Sequence, residues 1–169
     1  MILRPLLASD EKEAILGHHE LALDNFEFLL GYEEGMNWIK YLKILENEHL
    51  NHDLPEGRVQ ATFLVAVRDG TIVGRTSIRH TLNEFLLNYA GHIGYGVRPE
   101  FRRQGVATEI MRQSLGIIQT LGVIDVLMTC DDDNLGSAKV IEFHGGVLEN
   151  RVDFQGVIKR RYWIKRNPR

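Results

Sequence analysis

One segment of the 169-residue sequence limits the possible folds more than any other: a glycine-rich strand, a basic turn and an amphipathic helix follow one another over residues 91–121. From Gly91 to Val97, apolar side chains alternate with glycine or histidine, which is typical of a strand with two different faces. Glycine weakens a strand unless another backbone or a ligand approaches closely. The strand is therefore a candidate for contact with a bound molecule, and a bulge or a tight contact within the sheet explains its glycines equally well.

The turn after this strand, Arg102-Arg103-Gln104-Gly105, leads directly into a helix with apolar residues at 3–4 spacing. The first N–H groups of a helix have no internal partners and lie at the positive end of the helix dipole. Gly105 lets a ligand approach and the arginines add positive charge, so the junction predicts an anion site suited to phosphate. A solvated helix cap is the commoner reason for such a turn when spacing alone is considered. Dinucleotide and Walker phosphate-binding patterns are absent, which disfavours those cofactors.

The remaining pattern predicts a single α/β domain over residues 1–169 with a mixed sheet. Two helical patterns precede an antiparallel hairpin with an Asp69-Gly70 turn. After residue 91, strand and helix alternate, which predicts parallel pairing of the strands at 91–97 and 124–130. The predicted strands are residues 2–5, 61–67, 72–78, 91–97, 124–130, 147–150 and 157–165.

Composition narrows the class of protein. Lys and Arg total 20 against 23 Asp and Glu, a net charge of −3, which argues against a chain built mainly to bind nucleic acid. Residues 159–166 combine charge with aromatics as nucleic-acid binders do, but we interpret them as an edge strand protected by charge, whose exposure makes a homodimer possible. The single Cys130 and the absence of a signal or membrane-span pattern indicate a cytoplasmic protein, and the seven histidines lack metal-ligand spacing.

The junction resembles the pyrophosphate motif of the GNAT acetyltransferase superfamily, Gln/Arg-x-x-Gly-x-Gly/Ala, which here reads Arg102-x-x-Gly105-x-Ala107. The resemblance covers about residues 61–150 and includes Asn134-x-x-Ser137, which opens the next helix. Motifs such as Arg79-His80-x-Leu82-Asn83 are similar to those of a bacterial branch of acetyltransferases without an assigned substrate.

This resemblance implies a GNAT-like fold with acetyl-CoA between two splayed parallel strands. The glycine face of the strand at 91–97 would then allow the cofactor to approach closely. Backbone groups of the strand would bind the pantetheine arm, the turn and helix start would hold the pyrophosphate, and Asn134 would reach the pantetheine or the thioester. Ser137 is equally explained as a helix-capping residue. The implied cofactor-binding residues are Tyr95, Gly96, Val97, Arg102, Arg103, Gln104, Gly105, Val106, Ala107, Thr108, Asn134 and Ser137.

Acetyl transfer needs an unprotonated amine, and an amine pKa of ~10.4 makes a general base useful. His92 is the first candidate because it lies close to where many family members place an acidic base, and His80 is the second. A half-buried, hydrogen-bonded structural histidine is the alternative for each.

The family's frequent general acid is a tyrosine seven residues after the asparagine, a position that holds Ile141 here. Either Tyr162 or Tyr95 then supplies the proton, or the thiolate leaves unaided, or the protein binds acyl-CoA without efficient turnover.

The resemblance thus predicts an N-acetyltransferase that moves the acetyl group of acetyl-CoA to a primary amine by direct attack in a ternary complex, without a metal. A noncatalytic acyl-CoA-binding or regulatory module is the alternative. The sequence does not separate a small amine, a free amino acid, an antibiotic and a protein N-terminus as acceptors.

Overall fold

The computed structural model describes residues 1–165, within which the chain forms seven β-strands and four α-helices. No helix in this range is both long enough and apolar enough to cross a membrane. In chain order the elements are β1 (Ile2–Arg4), α1 (Glu11–Ala22), α2 (Trp38–Leu50), β2 (Ala61–Arg68), β3 (Thr71–Arg79), β4 (Ile93–Val97), α3 (Val106–Thr120), β5 (Asp125–Asp131), α4 (Leu135–Phe143), β6 (Val147–Phe154) and β7 (Val157–Lys165).

The first four strands form an antiparallel sheet in the order β1-β2-β3-β4. The predicted hairpin of β2 and β3 is confirmed, and its turn residues Asp69 and Gly70 both have positive φ, 53° and 82°. Two left-handed residues suit a tight turn between right-twisted strands. Helices α1 and α2 pack on one face of this sheet, and α3 packs on the other, where Ser114 of α3 donates a hydrogen bond to Thr76 of β3 at 3.0 Å.

The last three strands form a second antiparallel sheet in the order β5-β7-β6. The final strand β7 is therefore central, and the prediction that it is an exposed edge is wrong, as is the argument for a homodimer that rested on it. Three of its positive side chains are paired: Lys159 with Asp131, Arg160 with Asp132 and Arg161 with Glu149. Arg166, the last residue of the basic stretch, lies outside the described residues.

The two sheets meet between β4 and β5, where the sequence predicts a parallel, splayed pair. The predicted mixed α/β fold is confirmed, but no ladder joins these strands, and every ladder among residues 1–165 is antiparallel. Contact is made just before β4: a bridge links Gly91 to Met128, and the His92 N–H donates to the Leu127 carbonyl at 2.8 Å. Gly91 has a φ of 68°, and a Cβ there would lie 2.5 Å from the Leu127 oxygen. The sheets are thus joined at one end, and within residues 1–165 no strand pairs with β4 on the side away from β3.

Candidate active site

A cavity of about 520 Å³ lies where the end of β4 meets the first turns of α3 and α4. Eleven of the twelve predicted cofactor-binding residues line it: Tyr95, Gly96, Val97, Arg102, Arg103, Gly105, Val106, Ala107, Thr108, Asn134 and Ser137. Gln104 does not, because its side chain is held on the surface, where it donates to the Glu100 carbonyl and accepts from Arg68. The structure therefore brings a strand, a turn and two helix starts to one place.

At one end of the cavity, the start of α3 presents unpaired donors. Gly105 has a φ of 77°, and the first bond into the helix runs from the Glu109 N–H to the Gly105 carbonyl at 3.0 Å. The N–H groups of residues 106–108 consequently have no carbonyl partner within the helix. A Cβ at Gly105 would meet nothing within 4 Å, and the Arg103 side chain has no hydrogen-bond or ion-pair partner among residues 1–165. This end can hold a doubly charged anion such as a pyrophosphate.

Arg102 braces this turn. Its Nε donates to the Val97 carbonyl at 3.1 Å, and its Nη2 pairs with Asp24 at 2.6 Å. The turn is therefore tied both to the end of β4 and to the loop after α1, and Arg102 acts mainly to hold the cavity's shape.

The loop after α1 supplies residues that the sequence analysis missed. Phe26 lines the cavity and packs on Gly96, where a Cβ would lie 2.4 Å from the Phe26 ring. The Phe26 ring occupies the space that a Cβ would need, so residue 96 must be glycine whether or not a ligand also binds there. Only the glycine alternation hinted at such a contact, because Phe26 is 70 residues away in sequence. Leu21, Asp24, Phe101, Gly136 and Val140 complete the lining.

At the other end of the cavity, the Tyr95 hydroxyl is hydrogen-bonded to the Ser137 hydroxyl at 3.0 Å. Asn134 accepts from the Ser137 N–H at 3.0 Å and so caps α4, which leaves its amide nitrogen to face a ligand. Burial raises the pKa of Tyr95 to about 12, so the phenol is protonated at neutral pH. Ile141 is fully buried in the core, so the family's usual acid position does not reach the cavity.

His92 does not line the cavity, and the structure does not support its predicted role as the base. It is 6% exposed, and its Nδ1 accepts a hydrogen bond from the Leu127 N–H at 2.9 Å. The neutral ring must then carry its proton on Nε2, so no nitrogen is free to accept a proton from an amine. Burial, together with the charge of Arg79, lowers the pKa of His92 to about 4. His92 instead links β4 to β5.

The other two predicted catalytic residues also lie outside the cavity lining. His80 is hydrogen-bonded through Nε2 to the hydroxyl of Thr62 at 2.8 Å, and burial lowers its pKa. Tyr162 is 1% exposed in the core and donates to Glu142 at 3.0 Å. Among residues 1–165, no group of three or more His, Cys, Asp and Glu side chains comes together in a way that could hold a metal ion.

Comparison with known proteins identifies the class of protein to which this fold belongs. A family model described as an acetyltransferase (GNAT) domain matches residues 1–147. The chain therefore belongs to the GNAT acetyltransferase family. No curated protein sequence matches it significantly.

Solved structures share the fold across nearly the whole chain. The yncA protein of Salmonella typhimurium, solved with its cofactor acetyl-CoA, has a TM-score of 0.69 at 13% identity, covering 99% of this chain and 95% of that one. The ribosomal-protein-S5-alanine acetyltransferase of Vibrio fischeri has a TM-score of 0.70 at 16% identity, with coverages of 98% and 92%. The ribosomal-protein-alanine N-acetyltransferase of Brucella melitensis has a TM-score of 0.69 at 15% identity, with coverages of 98% and 99%.

Proposed function

We propose that this protein transfers the acetyl group of acetyl-CoA to a primary amine, by direct attack of the amine in a ternary complex. The observation that carries the proposal is the start of α3, where three N–H groups without helical partners, an open glycine and the unpaired Arg103 face one cavity. That cavity continues along β4 to Tyr95 and Asn134. It therefore offers an anion site and a polar far end, as a long cofactor with a pyrophosphate and a thioester requires.

In this proposal each part of the cavity has one task. Residues 103–108 hold the pyrophosphate, the backbone of Tyr95–Val97 holds the pantetheine arm as an added strand would, and Asn134 orients the thioester end. Bound acetyl-CoA supplies the acetyl carbon that the amine nitrogen attacks, with cleavage of the carbon–sulfur bond. Tyr95 donates a proton to the departing sulfur and regains one from solvent through Ser137.

Two features support direct attack over a covalent enzyme intermediate. Cys130 is the one cysteine of the chain, does not line the cavity, and has a pKa that burial raises to about 11. A thiol with that pKa is almost entirely protonated at neutral pH and so is a poor nucleophile. The one carboxylate that lines the cavity, Asp24, is paired with Arg102, so the amine loses its proton to solvent rather than to a side chain in this cavity.

The proposal is tested by calorimetric titration with acetyl-CoA, using free coenzyme A and NADH as comparisons. We expect micromolar binding of the first two and none of NADH. Gly105→Glu should abolish binding, because the added carboxylate occupies the anion site and repels phosphate. Gly122→Glu is the matched control: it lies just beyond the other end of α3, also has positive φ and also faces open space, so both variants carry the same backbone strain.

Full binding by Gly105→Glu would contradict the placement of the cofactor. Turnover is then measured as thiol release in a screen of amines. Tight acetyl-CoA binding without thiol release from any amine would contradict the catalytic part of the proposal and favour a noncatalytic acyl-CoA-binding module.

A further inference from the structure

A second cavity, of about 220 Å³, lies on the face of the first sheet that α1 and α2 cover. No residue of the described range 1–165 lines both this cavity and the larger one, but β4 runs beside both. Gly96 lines the larger cavity, and Gly94, the next residue on that face, lies beneath the side chain of Arg79: a Cβ at Gly94 would be 3.0 Å from the Arg79 guanidinium. Residues i and i+2 of a strand are about 7 Å apart, so the side chain of Arg79 lies within the length of a small molecule of the larger cavity.

Arg79 points into this second cavity without a partner. Its guanidinium makes no hydrogen bond and no ion pair with any of residues 1–165. By contrast Arg75, which precedes it on the same face of β3, donates to three backbone carbonyls, those of Glu27, Phe28 and Gly94. Burial lowers the pKa of Arg79. A half-buried cation without an acceptor is costly, and an anionic ligand would remove that cost.

The surroundings of Arg79 favour a small anion over a cation. Glu48, the one acidic residue lining the cavity, is 7% exposed and is already paired with Arg58 at 2.6 Å, which leaves one positive charge in excess. Ser77, also on this face, adds a hydroxyl with no hydrogen-bond partner among the described residues. A guanidinium matches the two oxygens of a carboxylate in a bidentate contact.

We propose that the second cavity is the acceptor site and that Arg79 and Ser77 bind the carboxylate of the acceptor, which is then a free amino acid or a similarly small amine bearing a carboxylate. This inference rests on the proposed function, because it names the acceptor of that reaction. A volume of about 220 Å³ is below the ~300–1,000 Å³ of drug-sized ligand sites, which argues against a protein N-terminus. The amine end extends past Gly94 toward the thioester.

The test is a binding measurement that does not depend on turnover. Ligand-observed saturation-transfer NMR is recorded on the protein with coenzyme A, using the twenty standard amino acids, their methyl esters and phosphoethanolamine as probes. The esters keep the amine and lose the carboxylate charge. We expect at least one amino acid to bind, its ester to bind at least about tenfold more weakly, and phosphoethanolamine not to compete.

Substitutions test whether Arg79 itself, and not the overall charge of the protein, binds the carboxylate. Arg79→Gln should weaken amino acid binding at least about tenfold, Arg79→Lys should restore part of it, and acetyl-CoA affinity by calorimetry should stay as in the wild type. Arg112→Gln is the matched control, because Arg112 is an exposed arginine on α3 that pairs only with Glu109. It should bind amino acids as the wild type does.

Three outcomes would overturn the inference: no amino acid binds, the esters bind as well as the acids, or Arg79→Gln binds unchanged. Stronger binding of phosphoethanolamine would overturn the carboxylate assignment in favour of phosphate. The ester comparison needs no variant, so it decides the matter even where Arg79→Gln fails to fold. If the wild-type protein does not bind acetyl-CoA, the proposed function is refuted. If it binds acetyl-CoA but no carboxylate-bearing amine, only this inference is refuted.

Discussion

Tyr95 combines two properties at the scale of a single residue. Its ring is largely buried between α3 and the second sheet, while its hydroxyl reaches the cavity and the hydroxyl of Ser137. Burial keeps the phenol protonated by raising its pKa to about 12. A protonated hydroxyl in a fixed position can donate to a sulfur that gains negative charge.

We therefore expect Tyr95→Phe to lower kcat by about tenfold or more, because the departing sulfur loses its proton donor. The affinity for acetyl-CoA should change little, since the proposed pantetheine contacts are made by the backbone. The kcat values of Tyr95→Phe and the wild type are compared with the amine that gives the fastest thiol release as acceptor.

Tyr162→Phe provides the contrast, because its hydroxyl is also hydrogen-bonded, to Glu142, but lies outside the cavity lining. Its kcat should stay within about twofold of the wild type, as expected for a group with no transition-state contact. A large loss in Tyr162→Phe with none in Tyr95→Phe would reverse the assignment of the acid.

At the scale of elements, α4 explains why the usual acid position holds isoleucine. Ala138 and Ile141 are the buried residues of this nine-residue helix, and they face the core of the second sheet. The chain turns back directly after the helix, and a Cβ at Gly146 would lie 2.4 Å from Ile141 Cγ2. The position therefore has no room for a longer side chain and no path to the cavity.

Introducing the family's residue should consequently fail to improve the enzyme. We expect Ile141→Tyr to destabilise the protein by about 1–3 kcal/mol through overpacking, with no gain in kcat. The free energy of unfolding is measured by urea denaturation. Phe143→Tyr, at a position of the same helix that is 75% exposed, should change it by less than about 0.5 kcal/mol. A rise in kcat for Ile141→Tyr would show that α4 can rotate this position toward the cofactor.

At the scale of the whole molecule, the gap between the two sheets depends on how they are joined at one end. His92 makes two of these contacts with Leu127, one through its backbone N–H and one through Nδ1. Beyond this junction β4 and β5 share no ladder, and the cavity lies at the far end of β4. His92 is therefore a structural link that defines where the gap begins.

This link makes stability depend on pH. The pKa of His92 is about 4 in the folded protein against an ordinary value of 6.5, so as the pH falls the unfolded chain binds the proton first. The stabilisation is fully present above about pH 6.5 and is lost progressively as the pH falls to 4. The loss is on the order of 3 kcal/mol, and it is measured as the free energy of unfolding at several pH values.

His92→Gln should make this dependence shallower, whereas His52→Gln, which removes an exposed histidine, should leave it unchanged. An unchanged pH dependence in His92→Gln would contradict the link. The same variant bears on catalysis: where it still folds, the pH profile of turnover should keep its shape, since His92 lies outside the cavity lining and its Nδ1 already accepts a hydrogen bond.

Features that depend on residues close together in the chain could be predicted from the sequence. The hairpin at Asp69-Gly70, the helix after Gly105 and the free N–H groups of residues 106–108 follow from turn residues, apolar spacing and the geometry of a helix start. Each of these is a local property. Eleven of the residues that line the cavity were therefore predicted, and the predicted Gln104 lies outside it. The others were not predicted from the sequence; they are Leu21, Asp24, Phe26, Phe101, Gly136 and Val140.

Contacts between side chains that are far apart in the chain could be read only from the folded protein. These contacts join residues that are adjacent in space but distant in sequence. They include the packing of Phe26 on Gly96, the hydrogen bond from Leu127 to His92 and the central position of β7 in its sheet. That the Arg79 guanidinium lies above Gly94 without a partner among residues 1–165 likewise depends on the surrounding fold. A strand's pattern shows that one face is buried, but not what covers it. The catalytic assignments required that information, because a histidine is a base only when a nitrogen is free and the ring faces the substrate.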